Sequence, residues 1–155
     1  MGGKYAESTS VSVVKTKGDI EEIAQKYGAR QFVSGYQDNK AAVGFTINNR
    51  QIRFIIELPD KSEKRFLYTP ERGTRRSDEA AHREWEQACR QKWRAFYLVI
   101  KAKLEAVESG ISCFEDEFMA NIVLPDGSLV GDFIRPQIDE AYKTGNMPAL
   151  LPMLG

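Results

Sequence analysis

Along the first third of the chain the spacing of apolar side chains changes twice. Ile20, Ile23, Ala24 and Tyr27 recur at i, i+3, i+4 and i+7, one face of a helix. Asp19-Ile20-Glu21-Glu22 reads as a capping box in front of them, and Gly28 is placed to supply a left-handed C-terminal cap. This predicts a short helix over 20–27. From Gln31 the period becomes two, over 31–36, 41–47 and 51–58, with Asp38-Asn39 and Asn48-Asn49 as hairpin turns. Val43, Phe45 and Ile47 share a face, as do Ile52, Phe54, Ile56 and Leu58, while Arg53 and Glu57 point the other way. An antiparallel meander with one buried face follows, and Pro59, which has no amide hydrogen, ends it.

Residues 59–76 form a long basic loop with at most a short strand at 65–68. Ser77-Asp78-Glu79 then opens the dominant element: Ser is a good N-cap, two acids suit the positive end of the helix dipole, and neither Gly nor Pro interrupts before Gly110. One helix over 78–108 is predicted, about 45 Å long, enough to project or to pack against a second copy in a homo-oligomer. Its wheel gathers Trp85, Cys89, Phe96, Ile100 and Val107, edged by Trp93 and Leu104, on one side; Arg83, Arg90, Arg94 and Lys101 fall opposite, with Tyr97 close by. A capping box at Ser112–Glu115 predicts a helix of about ten residues carrying Phe118, Met119 and Ile122. After the Pro125-Asp126-Gly127 turn, Ser128 can cap a further helix that Pro136 should kink or divide and Gly145 should close. Residues 146–155 are an apolar, proline-punctuated tail, and residues 1–10 a flexible start.

The composition, 42% hydrophobic and 28% charged over 155 residues, is that of one folded domain spanning 1–155. A net charge of zero conceals an asymmetry. Lys and Arg outnumber Asp and Glu by 12 to 6 over 61–103 and are outnumbered 9 to 2 over 104–155. Such a split marks a nucleic-acid surface beside an acidic lobe, or two halves of a fold that attract each other. No apolar run is long enough for a membrane span and no leader pattern opens the chain, so a cytosolic protein without membrane contact is expected. Cys89 and Cys113 are too few for a disulfide scaffold and read as reduced, buried thiols.

Catalytic patterns fail one by one. His82 is the only histidine, falls on the apolar side of the long helix and reads as a core or boundary imidazole; His82-Arg83-Glu84-Trp85-Glu86 lacks the second His of a zincin helix. Asp60, Glu63 and Arg65 superficially resemble a metal-dependent nuclease centre, but their spacing is poor and no apolar strand carries the second half. Glu115, Asp116 and Glu117 are consecutive and cannot converge on one ion from one helical face. There is no glycine-rich phosphate loop. No catalytic residue, metal ligand or cofactor is assigned.

The strongest positive signal is the basic segment: Lys61, Lys64, Arg65, Arg72, Arg75 and Arg76 in the loop, and Arg83, Arg90, Arg94 and Lys101 on the helix, could neutralise phosphates while Phe66, Tyr68 and Tyr97 stack on bases. The same cations also suit a solvated helix face supported by pairs such as Glu79 with Arg83 and Glu86 with Arg90.

The run Trp85 to Ala95, the run Val99 to Ile111, then Ile122-Val123-Leu124-Pro125-Asp126-Gly127 and Met147-Pro148-Ala149-Leu150-Leu151-Pro152 together resemble a family of small bacteriophage and prophage proteins. The resemblance covers most of the chain. It implies a setting inside a bacterial host cell and attaches no activity.

The expected fold is α+β: an antiparallel sheet of three or four strands packed by one long helix, with further helices after it. The expected function is non-enzymatic binding of nucleic acid through the basic loop and helix face. The alternative is a protein-binding module that inhibits or redirects a host factor, using the acidic last third or the apolar tail. A metal-dependent nuclease is a distant third.

Overall fold

A computed structural model describes residues 9–147. Helix α1 (Val13–Lys26) leads into strands β1 (Arg30–Gln37), β2 (Lys40–Ile47) and β3 (Arg50–Glu57). A single helical turn, α2 (Lys64–Leu67), precedes the long α3 (Asp78–Glu108). Helix α4 (Phe114–Phe118) continues as a 3-10 turn over Met119–Asn121, and α5 (Val130–Thr144) follows. The strands form one antiparallel sheet in the order β1-β2-β3, so the α+β architecture holds.

Alternation explains the sheet. Ala41, Val43, Phe45, Ile47, Ile52 and Phe54 are buried on one face, where Val43 pairs with Phe54 and Phe45 with Ile52. Asn48 and Asn49 both take positive φ, as a tight hairpin between twisted strands requires. Across this face lies α3, burying Cys89, Trp93, Phe96, Ile100 and Leu104; Phe54 meets both Phe96 and Phe118 edge to face, at centroid distances of 5.4 and 6.2 Å. The far edge of β3 gains only fragments of a fourth strand, a bridge from Ile52 to Ile122 and the Val123 amide donating to the Gln51 carbonyl.

Several boundaries differ from expectation. Helix α1 begins at Val13, with the Ser12 hydroxyl accepting from the Lys15 amide. Asp19 therefore lies mid-helix and caps nothing. Packing outweighs the cost of Gly18 in the helix interior, because Thr16, Ile20 and Ala24 continue one buried stripe toward the N-terminus. Segment 59–76 is structured: where a short strand was expected, α2 forms, and Tyr68 bridges to Arg75 around a turn that includes Gly73 at φ +63°. Ser112 caps no helix; its hydroxyl donates to the Cys113 carbonyl and α4 is a five-residue helix. Ser128 bonds to Asp126 instead of capping α5, and α5 runs through Pro136. Gly145 does close α5 in the left-handed conformation. Cys89 is buried as expected, whereas Cys113 is exposed. The expected flexible start falls outside the described residues up to residue 8, and the apolar tail does from 148 onward.

Candidate functional site

The residues expected to grip phosphate occupy two places, the 59–76 segment over the first turns of α3 and the flank of α3 farther along. Much of the first group is occupied in holding the segment together. Arg76 donates to the carbonyls of Arg65, Phe66 and Tyr68, tying the segment to α2. Arg75 donates to the Leu67 carbonyl and pairs with Asp78 at 3.2 Å. Arg65 pairs with Glu63 at 3.0 Å and lies over the Phe66 ring. The Lys61 ammonium sits 4.5 Å from the Trp85 ring centroid, and the Trp85 indole donates to the Pro59 carbonyl. Lys64 and Arg72 have no such partner among the described residues.

Along α3 the cationic stripe does not face freely outward. Helix α1 packs beside it, and Arg94 pairs with Asp19 at 2.9 Å while lying 4.3 Å from the Tyr97 ring centroid. Arg90 donates twice to the Gln87 amide oxygen and lies 3.7 Å from Glu86. Both arginine side chains are more than two-thirds covered. The expected Glu86–Arg90 pair thus forms; Glu79 and Arg83 do not pair, and Arg83 and Lys101 remain without a partner among the described residues.

The proposed stacking set also separates. Phe66 is only 3% exposed and cannot receive a base, because α2 turns it inward against α3. Tyr97 is half-buried under Arg94. Tyr68 alone is exposed.

Electrostatics follow the same local logic. Lys15, first, and then Arg94 hydrogen-bond to Asp19 and hold its carboxyl below the usual range. Ser62 does the same for Asp60 with both its hydroxyl and its amide, assisted by Asn39. Asp60 and Glu63, the carboxylates of the nuclease-like pattern, are thereby both committed to local partners. Burial pushes the Cys89 thiol up. His82 is half-exposed at the sheet-free end of α3, bonded to Glu86 at 2.5 Å and tilted against Trp85. Beside it a depression of about 170 Å³ is lined by Lys61, Leu67, Arg75, Asp78, Ala81, His82 and Trp85, smaller than sites that enclose a small molecule. Among the described residues no group of three or more His, Cys, Asp or Glu could hold a metal ion, and no helix is long and apolar enough to cross a membrane.

The last third offers a further candidate surface. Helix α5 is amphipathic, with Phe133, Ile134, Ile138, Ala141 and Tyr142 at helical spacing, yet none of its residues is buried. Its first turn docks closely, with Gly131 against Ala120 of the 3-10 turn, and Phe133, Ile134, Gln137 and Ala141 are partly covered. Ile138 is 47% and Tyr142 88% exposed, and Ile111, Met119 and Met147 are exposed in the same third of the chain. The same third of the chain carries Glu105, Glu108, Glu115, Asp116, Asp139 and Glu140, none ion-paired among the described residues, and Lys143, which is likewise without an ion partner there. The signal was available in the sequence as the nine-to-two acidic excess and the α5 periodicity.

The chain matches no protein-family model, no curated protein and no solved structure.

Proposed function

We propose that the protein is a non-enzymatic binding module whose last third receives a partner that is cationic and apolar at once, in the manner of a basic amphipathic helix. The observation that carries this reading is α5, an amphipathic helix that buries none of its residues and stands within the most acidic part of the chain. Exposed apolar side chains in a segment whose unpaired charge is predominantly acidic suit a partner of the opposite sign. In the phage setting implied by the sequence resemblance, the partner is a host or phage protein.

Fluorescence anisotropy with a synthetic Leu/Lys amphipathic helix tests the chemistry. Binding should weaken with salt and fall at least about tenfold in an Ile138→Glu, Tyr142→Glu variant. Equal binding by that variant, or none by the wild type at low salt, overturns the reading.

A second reading keeps nucleic acid as the ligand. It is supported by Lys64, Arg72 and Arg83, which are unpaired toward the same end of α3, with Tyr68 exposed in the same segment. DNA binding lost on Arg72→Glu, Arg83→Glu and retained on Ile138→Glu, Tyr142→Glu would select it.

A further inference from the structure

Strand β1 is an open sheet edge. The closing pair Gln37–Lys40 flanks a two-residue turn, so Gln37, Gly35 and Val33 turn their amide and carbonyl groups toward β2. Phe32, Ser34 and Tyr36 turn theirs away. Among the described residues no other backbone segment bonds to these groups. The usual protections of such an edge are missing over this stretch, since 31–37 contains no charge and no proline. The one irregularity, a bulge at the Arg30 end with Gln31 at φ +55°, leaves Phe32 to Gln37 regular.

We infer that β1 is a homodimer interface, pairing antiparallel with β1 of a second copy about a two-fold axis through Ser34. The strand is complementary to itself in that register. Ser34 meets Ser34 and Phe32 meets Tyr36, the residues whose backbone groups point outward, and each such pair exchanges two N–H···O bonds. On the helix-side face the aromatic rings of Phe32 and Tyr36 become cross-strand neighbours; on the open face Val33 lies opposite Gly35, where space is free. Arg30 at one end comes to the turn carrying Asp38 at the other end of the second copy, and neither residue has an ion partner within its own chain among the described residues. Tyr36 is already fixed: it stands edge-on to Trp93 at 6.4 Å, with the Lys17 ammonium 3.9 Å from its ring centroid. The strand thus needs little rearrangement to pair. Dimerisation would join two three-stranded sheets into one and leave α5, on the far side of β3, free for the partner proposed above.

Sedimentation velocity over a concentration series, together with hydrogen exchange, tests this. The wild type should dimerise, and the Phe32, Ser34 and Tyr36 amides should gain protection as the dimer forms. Ser34→Pro removes an outward amide hydrogen and leaves the β1–β2 ladder intact, so it should raise the dimer dissociation constant at least about tenfold with unchanged circular dichroism. Arg30→Glu should raise it several-fold without altering the strand backbone, which keeps the test decisive if the proline variant misfolds. A monomer at all concentrations, or a dimer in which those three amides exchange rapidly or which Ser34→Pro and Arg30→Glu leave intact, overturns the inference.

Discussion

Among the described residues two glycines lie inside helices, and the space around them predicts opposite effects for the same substitution. Replacing Gly by Ala in an exposed helix interior removes an entropic cost of about 0.5–1 kcal/mol. At Gly18, in the middle of α1, an added Cβ meets nothing within 4 Å. Gly18→Ala should therefore stabilise the protein by about that amount. At Gly131, in the first turn of α5, the added Cβ would lie 3.0 Å from the Ala120 carbonyl oxygen and 3.2 Å from the Ala120 Cβ. Ordinary carbon contacts fall near 3.5–4.0 Å, so two contacts are too short by several tenths of an ångström. The third neighbour, the end of the Arg135 side chain at 3.3 Å, can swing away. The Ala120 backbone cannot, because it belongs to the 3-10 turn whose end is tied to β3 through the Asn121 amide and the Arg53 carbonyl.

Overpacking of this kind costs about 1–3 kcal/mol. Set against the helical gain, Gly131→Ala should be neutral to about 2 kcal/mol unfavourable, and the strain falls on the docking of α5. Urea titration followed by circular dichroism measures the global effect, and hydrogen exchange across 134–142 measures the local one. The expected result is a higher midpoint for Gly18→Ala with α5 exchange unchanged, and faster α5 exchange for Gly131→Ala. If Gly131→Ala stabilises as much as Gly18→Ala and leaves α5 exchange unaltered, the close approach of α5 to the 3-10 turn is wrong.

The Asp19 carboxyl is held low in the folded state, so its contribution is present above the unfolded value of about 3.9 and disappears as pH falls through the lower folded value. Asp19→Asn should cost about 0.5–1 kcal/mol at neutral pH and flatten the acid limb of a melting-temperature profile; parallel profiles for the two proteins would refute the assignment. In the native protein Cys113 should react with a disulfide reagent and Cys89 should not, its thiol being buried and raised, so two equally fast thiols would contradict the packing under α3. Ile100→Ala, at a side chain with no exposed surface, should cost about 2–5 kcal/mol in denaturant titration, and a loss below 1 kcal/mol would place that residue outside the core.

What the sequence made legible was whatever a local pattern controls. Asn48-Asn49 and the alternation around it specify a hairpin without help from the rest of the chain, and the unbroken run that Ser77 caps specifies α3 to the residue. The start of α1 was hidden because its stripe passes through polar Thr16 and because Gly18 before Asp19 imitates a helix boundary; only contact with α3 makes the longer helix worthwhile. Segment 59–76 looks like a loop in the sequence because its order comes from Arg76, whose three carbonyl acceptors lie eight to eleven residues back. Nothing in the local sequence distinguishes an arginine that binds its own backbone from one that waits for a phosphate.

The same limit explains the candidate site. A helical wheel gives the direction in which Arg90 and Arg94 leave α3, but only the neighbouring elements decide whether that direction leads to water. For Arg94 it leads to α1, where Asp19 takes it, and Arg90 is held by Gln87 and Glu86 of its own helix. Nor do the basic middle and the acidic last third neutralise each other across the fold. Among the described residues one ion pair joins them, Lys103 with Glu117. The remaining paired cations of the middle are satisfied within their own segment or by α1, while most of the acids of the last third stay unpaired. A net charge of zero therefore coexists with a last third whose acids are mostly unpaired. Screening shortens from about 10 Å at 0.1 M salt to about 3 Å at 1 M, so salt should remove the electrostatic share of partner binding there and leave the share due to Ile138 and Tyr142. If the two act separately, the loss caused by Ile138→Glu, Tyr142→Glu should persist in high salt, where the wild type still binds weakly and the variant does not.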